Sequence, residues 1–176
     1  MEKRKGQLEG VCVSGGEPCL HSDLADFLRK IKTLGFQLKL DTNGSNPEIL
    51  TKLFKEKLVD FVAMDIKGPL ALYEKFIGSA EINKEKIKKS IKLIKEKTLK
   101  YEFRSTLVPY YHDEKMIQSM GELIQGAKLW VLQNFQNRGN LLLDPEFQKY
   151  PSFPPSKLQK FQQIAEKYVD ECQVRN

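Results

Sequence analysis

Short apolar runs and amphipathic stretches alternate along the chain, with short connections between them. The apolar runs predict five strands, at Leu8–Ser14, Phe36–Leu40, Val59–Ile66, Tyr101–Val108 and Leu129–Phe135. Between these runs, apolar residues recur every three or four positions, as they do on one face of a helix. Strands that alternate with helices favour βα units and a parallel sheet. The pattern therefore predicts an α/β fold.

Residues with strong preferences for helix ends divide the amphipathic stretches. Ser22 and Asp113 are predicted N-caps, and Pro47 stands in the first turn of a further helix. A closing helix is predicted from about Ser156, with Tyr168 on its buried side. Each predicted helix thus connects or follows strands, as expected for βα units.

The length and composition of the chain fit one globular domain. It has 176 residues, of which 40% are hydrophobic and 30% are charged. Because no linker or low-complexity segment interrupts the pattern, we predict a single domain over residues 1–176. No stretch approaches the ~20 apolar residues of a membrane span, and no apolar segment follows the N-terminal charges as in a signal peptide. We expect a cytoplasmic protein without a membrane partner.

The excess of positive charge is concentrated in one helix. Lysine and arginine number 29 against 23 acidic residues, and eight lysines lie between Lys84 and Lys100. Ile87, Ile91 and Ile94 recur there at helical spacing. A lysine face could bind an acidic partner or nucleic acid, but no aromatic residue interleaves with these lysines. We interpret the face as solvent-exposed and expect no nucleic-acid partner.

Cysteines and histidines give no signal for a metal site. Cys12, Cys19 and Cys172 are odd in number and widely separated, so they form no disulfide framework. The spacing of Cys12 and Cys19 fits no common metal motif. His21 and His112 stand alone at predicted helix starts. We interpret the cysteines as structural and the histidines as surface or capping residues.

Polar residues lie at the ends of successive predicted strands, where ligands bind in parallel α/β folds. In chain order they are Gly15-Gly16-Glu17-Pro18, Asp41-Thr42-Asn43-Gly44, Asp65 with Lys67, Arg104, and Gln133. No single motif among them is specific. Four or more polar strand ends in succession are nevertheless difficult to explain as turns alone, so this edge of the sheet is the candidate site.

The first two motifs each have two interpretations. Gly15-Gly16-Glu17-Pro18 is either a tight strand-to-helix turn or a ligand loop whose backbone carbonyls and carboxylate suit an ammonium group. Asn43-Gly44 favours an Asx turn. Asp41 and Thr42 supply hard oxygen ligands for a cation or for the hydroxyls of a ribose.

The later motifs also leave alternatives open. Asp65 and Lys67, two residues apart on a predicted strand, either form an ion pair or serve a ligand, and the cost of buried charge favours a ligand. Arg104 points either outward to solvent or inward, where its guanidinium would bind a carboxylate through two hydrogen bonds. Gln133 either is solvated at its strand end or joins the site.

Together these motifs resemble the radical S-adenosylmethionine activases of glycyl radical enzymes. The likeness is strongest to anaerobic ribonucleoside-triphosphate reductase activating proteins, followed by pyruvate formate-lyase activating enzymes. It rests on Ser14–Pro18, Leu40–Gly44, Ala63–Lys67, Phe103–Pro109 and Leu132–Phe135, and it extends from about residue 6 to residue 145. The resemblance implies a partial βα barrel, of which five of six parallel strands would be present.

The resemblance also implies roles for the polar strand ends. Gly15, Gly16 and Glu17 would meet the ammonium group of S-adenosylmethionine, and Lys67 and Arg104 would neutralise its carboxylate. Asp41, Thr42 and Asp65 match positions that hold a monovalent cation in some activases. Gln133 completes the expected cofactor-binding set.

In such enzymes a [4Fe-4S] cluster, reduced by flavodoxin or ferredoxin, generates a 5′-deoxyadenosyl radical that takes a hydrogen atom from a glycine of the partner. Anaerobic ribonucleotide reductase is the expected partner. The family's Cys-x3-Cys-x2-Cys motif lies upstream of the Gly-Gly-Glu-Pro strand. Only ten residues precede Val11 here, none is cysteine, and Cys12 and Cys19 cannot replace the motif. We therefore expect that the first βα unit and the iron–sulfur ligands are absent and that the chain alone is inactive.

Three hypotheses follow from this departure. The chain is part of an activase that has lost its N-terminal unit, or a cluster-free remnant that binds S-adenosylmethionine or a partner without catalysis. In the third hypothesis the radical chemistry acts on a small molecule, as in 7-carboxy-7-deazaguanine synthases. Asp41-Thr42-Asn43-Gly44 with Asp65-Ile66-Lys67 favours the activases.

Overall fold

The computed structural model of the chain describes residues 7–74, 83–98, 100–137, 147 and 149–176. Its strands are β1 (Gly10–Val13), β2 (Gln37–Thr42), β3 (Phe61–Asp65), β4 (Tyr101–Leu107), β5 (Ala127–Asn134) and β6 (Val169–Arg175). Its helices are α1 (Leu24–Thr33), α2 (Pro47–Lys55), α3 (Lys84–Lys97), α4 (Glu114–Leu123) and α5 (Pro155–Ala165). Short 3-10 turns span Pro18–Leu20 and Leu70–Leu72. The sequence also predicts a long loop over residues 137–155, of which 138–146 and 148 lie outside the described residues.

The strands form one open sheet in the order of the chain, from β1 to β6. The pairs β1–β2, β2–β3, β4–β5 and β5–β6 are parallel. Each of the five predicted strands is present, with ends that differ by at most two residues. The prediction of an α/β partial barrel is therefore confirmed, whereas the count of five strands is too low by one.

The missed strand is β6, which follows the closing helix directly. That helix ends at Ala165, three residues before Tyr168, which was predicted to lie within it. The backbone carbonyl of Tyr168 accepts a hydrogen bond from the Gly126 amide at 2.7 Å. In β6 only Val169 and Cys172 are buried. Because most of its residues are polar, its sequence resembles the exposed tail of a helix.

Side-chain N-caps begin α2 and α4, whereas α1 begins without one. Asn46 and Asp113 cap α2 and α4, since their side-chain oxygens accept backbone hydrogen bonds of 3.3 and 2.8 Å in the first turn. The prediction of Ser22 as the cap of α1 is wrong. That helix begins after Asp23, whose side chain makes no capping hydrogen bond.

The chain divides into two compact units. The first comprises the described residues of Met1–Asp65 and Ile82–Glu102, and the second those of Ile66–Glu81 and Phe103–Asn176. Fully buried side chains form a core in each: Leu28, Leu40, Leu50, Leu53 and Val62 in the first, and Phe103, Leu132, Ile117 and Phe161 in the second. The single domain predicted for residues 1–176 stays a prediction.

The core of the second unit contains the only tryptophan of the sequence, Trp130. Its indole Nε1 donates a hydrogen bond of 3.0 Å to the hydroxyl of Ser105. That hydroxyl donates in turn to the backbone carbonyl of Ile66 at 2.7 Å. The one polar atom of a fully buried ring is thereby satisfied.

The lysine-rich segment forms helix α3 of the first unit, as predicted. Its apolar side is buried through Ile87, Ile91 and Ile94, while its lysines face outward. Lys89 pairs with Glu48 of α2 at 3.1 Å. Within the described part of the chain, we find no helix with the length and apolar character needed to cross a bilayer.

Candidate functional site

The turn after β1 depends on two glycines. Gly15 and Gly16 have φ angles of +99° and +57°, in the region that side-chain-bearing residues rarely adopt. A Cβ atom at either position would meet no atom within 4 Å. The glycines are therefore required by the backbone conformation and not by packing. Their open surroundings leave this stretch of backbone accessible to a ligand.

The carboxylate of Glu17 is turned into the protein. It is 7% exposed and accepts three hydrogen bonds within the first unit. Its Oε1 accepts from the Thr42 hydroxyl at 2.8 Å and from the Cys19 amide at 3.0 Å, and its Oε2 accepts from the Asn43 amide at 2.5 Å. We call these four residues the Glu17 cluster. The cluster ties the turn after β1 to the end of β2.

The segment Asp41-Thr42-Asn43-Gly44 contains the predicted Asx turn. The side-chain oxygen of Asn43 accepts from the Ser45 amide at 2.9 Å, and the Thr42 hydroxyl accepts from the Gly44 amide at 3.1 Å. Gly44 has a φ of +76°, and a Cβ there would collide with the side chain of Met64. The turn is therefore fixed both by its own hydrogen bonds and by packing.

Asp41 lies on a different face of the sheet from Thr42. The β2–β3 register pairs Asp41 with Ala63 and Thr42 with Met64. Because side chains alternate along a strand, Asp65 shares a face with Ala63 and with Asp41. Of the three predicted cation ligands, Asp41 and Asp65 thus share a face, while the Thr42 hydroxyl is already used within the Glu17 cluster.

Asp41 belongs to a small polar group on that face. Its Oδ1 accepts a hydrogen bond from the Cys12 thiol at 3.6 Å and lies 3.5 Å from the ammonium group of Lys39. The same ammonium group lies 3.6 Å from the buried carboxylate of Glu102. Cys12 is exposed, so it is not the small apolar core residue that its position between Val11 and Val13 predicts.

Two grooves flank these residues within the first unit. One of about 260 Å³ lies beside Gly15 and is also lined by Ser14, Pro18 and Phe27. The other, of about 390 Å³, is lined by residues such as Cys12 and Lys39. The first adjoins the glycine turn, which makes it the groove most relevant to the predicted ligand loop.

In the second unit, a histidine holds the segment that contains Lys67. His112 is 6% exposed, and its Nδ1 accepts a hydrogen bond from the Val108 amide at 3.1 Å. Its Nε2 lies 3.3 Å from the backbone carbonyl of Lys67 and donates to it in the neutral tautomer that this pattern selects. Burial lowers the pKa of His112, although its backbone partners and Asp113 oppose that shift. We call His112, Val108 and Lys67 the His112 cluster.

The arrangement of the His112 cluster corrects two predictions. His112 is not a surface or capping residue but a buried brace between two loops. Lys67 lies beyond the end of β3 and its side chain is exposed, so the argument that Asp65 and Lys67 share a strand face does not apply. In the sequence, the one indication of this buried role is that His112 stands four residues after Val108, at the end of an apolar strand.

The remaining predicted residues lie on the β4–β5 pair of the second unit. The register pairs Arg104 with Val131 and Thr106 with Gln133. Arg104 and Gln133 therefore share one face of this pair, and both are half-buried. The backbone carbonyl of Arg104 accepts from the Ile66 amide at 2.7 Å.

Each unit thus brings together its own predicted residues. The first contains Gly15, Gly16, Glu17, Asp41, Thr42 and Asp65, and the second contains Lys67, Arg104 and Gln133. Glu17 and Thr42 are in direct contact, and Arg104 and Gln133 share a face. The combined roles predicted for these nine residues stay predictions.

Comparisons with known proteins agree with the fold. The Radical SAM superfamily model matches residues 1–123. A protein of Methanocaldococcus jannaschii, named as a glycyl-radical enzyme activating enzyme, is 35% identical over 171 residues, which are 95% of this chain and 70% of the relative.

Solved structures share the fold at lower identity. A domain of pyruvate-formate lyase-activating enzyme from Bacteroides vulgatus has a TM-score of 0.74 at 21% identity, over 96% of this chain and 100% of that domain. SuiB of Streptococcus suis, solved with S-adenosylmethionine bound, has a TM-score of 0.65 at 15% identity, over 95% of this chain and 39% of SuiB.

Proposed function

The chain belongs to the Radical SAM superfamily, among the activating enzymes of glycyl radical enzymes, and we propose that it carries the S-adenosylmethionine-binding region of such an enzyme. The observation that carries this proposal is the turn at Gly15 and Gly16, whose positive φ angles and open surroundings are unexplained by packing. A backbone free of Cβ atoms at a strand end suits close approach by a ligand.

The proposed site residues bind the two charged groups of the methionine moiety separately. The backbone carbonyls at Gly15 and Gly16 would accept hydrogen bonds from its ammonium group, while the side chain of Glu17 holds the turn in shape. Lys67 and Arg104 would neutralise the carboxylate, with Gln133 beside Arg104 on the same face. In the whole enzyme, bound S-adenosylmethionine would supply the radical that takes a hydrogen atom from a glycine of the partner protein.

We propose the cation site with two ligands, Asp41 and Asp65, rather than three. Asp41 and Asp65 share a face and offer carboxylate oxygens, the donors that hard cations prefer. Thr42 matches the same family positions, but its hydroxyl donates to Glu17 and accepts from Gly44. Its contribution would therefore be to hold the end of β2.

The family also implies a [4Fe-4S] cluster, which binds to thiolates. Burial raises the pKa of the Cys19 and Cys172 thiols to about 12, so both are protonated at neutral pH. Among the described residues, no three His, Cys, Asp or Glu side chains form a group that could hold a metal ion. These residues therefore do not fit the cluster. Reconstitution of the chain with iron and sulfide tests this conclusion. About four bound irons per chain would show that the chain does hold a cluster.

For the whole enzyme, we propose anaerobic ribonucleotide reductase as the partner, flavodoxin or ferredoxin as the reductant, and the cytoplasm as the location. The 35% identity to a named activating enzyme supports the general class of partner. Binding of the purified reductase to the chain, measured by calorimetry, tests the specific choice. The absence of binding would reject this reductase as the partner.

Calorimetric titration of S-adenosylmethionine tests the binding site itself. We expect Arg104→Ala to weaken binding about tenfold, because one charge-assisted hydrogen bond contributes about 1.5–3 kcal/mol. Lys84→Ala, on the lysine face of α3, is the matched control and should bind as the wild type does. Equal binding by both variants would show that Arg104 does not contact the ligand.

A further inference from the structure

Helix α3 buries a serine within a face of isoleucines. Of its four buried residues, three are Ile87, Ile91 and Ile94, and the fourth is Ser90, which is fully buried. A serine inside a helix commonly donates to a carbonyl of its own helix. The Ser90 hydroxyl donates instead to the backbone carbonyl of Gly44 at 2.7 Å, 46 positions earlier in the chain. Because packing alone would favour a fourth apolar side chain here, the serine points to a role in holding Gly44.

The loop that contains Gly44 is confined on another side by β3. Gly44 is buried, and a Cβ atom there would collide with the side chain of Met64. Without the Ser90 hydroxyl, the buried carbonyl of Gly44 would lose a hydrogen bond, at a cost that the loop can lower by moving toward water. Ser90 therefore contributes to the position of the loop after β2.

A continuous series of hydrogen bonds leads from this loop to the turn after β1. The Gly44 amide donates to the Thr42 hydroxyl at 3.1 Å, and that hydroxyl donates to Glu17 Oε1 at 2.8 Å. Glu17 directly follows Gly15 and Gly16. All members of the series belong to the first unit. A shift of Gly44 would thus be transmitted to the glycine turn.

From this series we propose that Ser90 is a positioning residue of the S-adenosylmethionine site. By holding Gly44, it keeps the Glu17 cluster in the arrangement that shapes the Gly15-Gly16 turn. This inference rests on the proposed function, in which that turn accepts the ammonium group of the ligand. Ser90 acts from behind the cluster and not on the ligand itself. In metal sites, residues that orient the ligands change affinity about 10- to 100-fold when they are removed, and we expect the lower end of that range here.

Calorimetric titration of S-adenosylmethionine tests this role, with urea unfolding to show that each variant is folded. We expect Ser90→Ala to bind about tenfold more weakly than the wild type. Ile94→Val shortens a fully buried side chain on the same face of α3, which lowers stability without removing a hydrogen bond. Thr98→Val removes a buried hydroxyl that has no hydrogen-bond partner within the described residues. Both controls should bind as the wild type does.

Amide hydrogen exchange, followed by NMR, gives a second readout that needs no ligand. In Ser90→Ala the amides of Asn43 and Gly44, which donate to Glu17 and Thr42, should exchange about tenfold faster than in the wild type. The Leu50 amide, which donates to the Asn46 carbonyl at the start of α2, should exchange at a nearly unchanged rate. A general loss of stability would instead accelerate all three amides together, and that result would reject a positioning role.

The binding results also decide the inference. If the wild type binds S-adenosylmethionine and Ser90→Ala binds equally well, the positioning role is overturned and the proposed function stands. If Ser90→Ala and Ile94→Val weaken binding equally, the effect follows stability, and the positioning role is again rejected. If the wild type does not bind, the proposed function fails, and this inference fails with it.

Discussion

Both units brace the loops at their strand ends with one buried polar side chain, but they use opposite chemistry. In the Glu17 cluster, three donors converge on a carboxylate, which can only accept hydrogen bonds when ionised. In the His112 cluster, a neutral ring accepts on one side and donates on the other. The first brace depends on one residue that serves three donors. The second depends on a neutral ring, which burial favours, in the one tautomer that the Val108 amide selects.

The difference explains why the two loops should respond differently to substitution. A carboxylate that serves three donors cannot be replaced by an amide without placing an N–H group against another donor. When the imidazole of His112 is removed, the two backbone groups that it bridges lose one hydrogen bond each. Each of the following experiments tests this contrast, and the largest expected effect comes first.

Glu17→Gln should produce the largest loss of stability. Whichever way the amide is oriented, its NH₂ group faces the Asn43 amide or the pair formed by Thr42 and Cys19. A buried donor left unpaired costs about 1–3 kcal/mol, so we expect a loss of about 3 kcal/mol in urea unfolding. Glu48→Gln, on an exposed carboxylate, should change stability by less than about 0.5 kcal/mol. Similar losses in both variants would refute the role of the Glu17 cluster.

His112→Ala should cost about 2 kcal/mol in the same assay. The Val108 amide and the Lys67 carbonyl both lose their partner in a buried position. His21→Ala, at an exposed position, is the control and should leave the free energy of unfolding within about 0.5 kcal/mol of wild type. A loss at His112 as large as that at Glu17 would remove the contrast between the two braces.

Gly15→Ala should cost about 1 kcal/mol of stability and also weaken S-adenosylmethionine binding. The cost arises from the positive φ alone, because no neighbouring atom lies where the methyl group would stand. Gly35→Ala, with a φ of +88° and equally open surroundings, should lose a similar amount of stability. If calorimetry shows that both variants bind S-adenosylmethionine normally, the Gly15 turn is not a ligand loop.

The smallest effect concerns pH. Burial lowers the pKa of His112 in the folded chain, whereas in the unfolded chain the ring titrates near 6.5. The unfolded state therefore binds more protons as pH falls below about 6.5, and stability declines until the folded ring is also protonated. Urea unfolding between pH 7 and 5 should show this decline in the wild type. In the His112→Ala variant the decline should be smaller, and an identical pH dependence would argue that the buried ring does not titrate in this range.

Much of the fold could be predicted because the spacing of apolar residues that marks a strand or a helix can be read within one short segment of the sequence. The first five strands were identified from their apolar runs, and Asn43 from its turn chemistry. Strand β6 was missed because only Val169 and Cys172 of its residues are buried, so no clear alternation marks it. The strand ends were also identified, but not the direction in which their side chains point. The inward turn of Glu17 depends on donors 25 and 26 residues away.

The position of Trp130 has a consequence for measurement. Because it is the only tryptophan in the sequence and is fully buried in the second unit, its fluorescence reports on the packing of that unit. Circular dichroism, in contrast, sums the helices of both units. Coincident transitions from the two signals would indicate one cooperative folding unit. Separated transitions would show that the chain unfolds in two stages, and the fluorescence transition would identify the stage in which the second unit is lost.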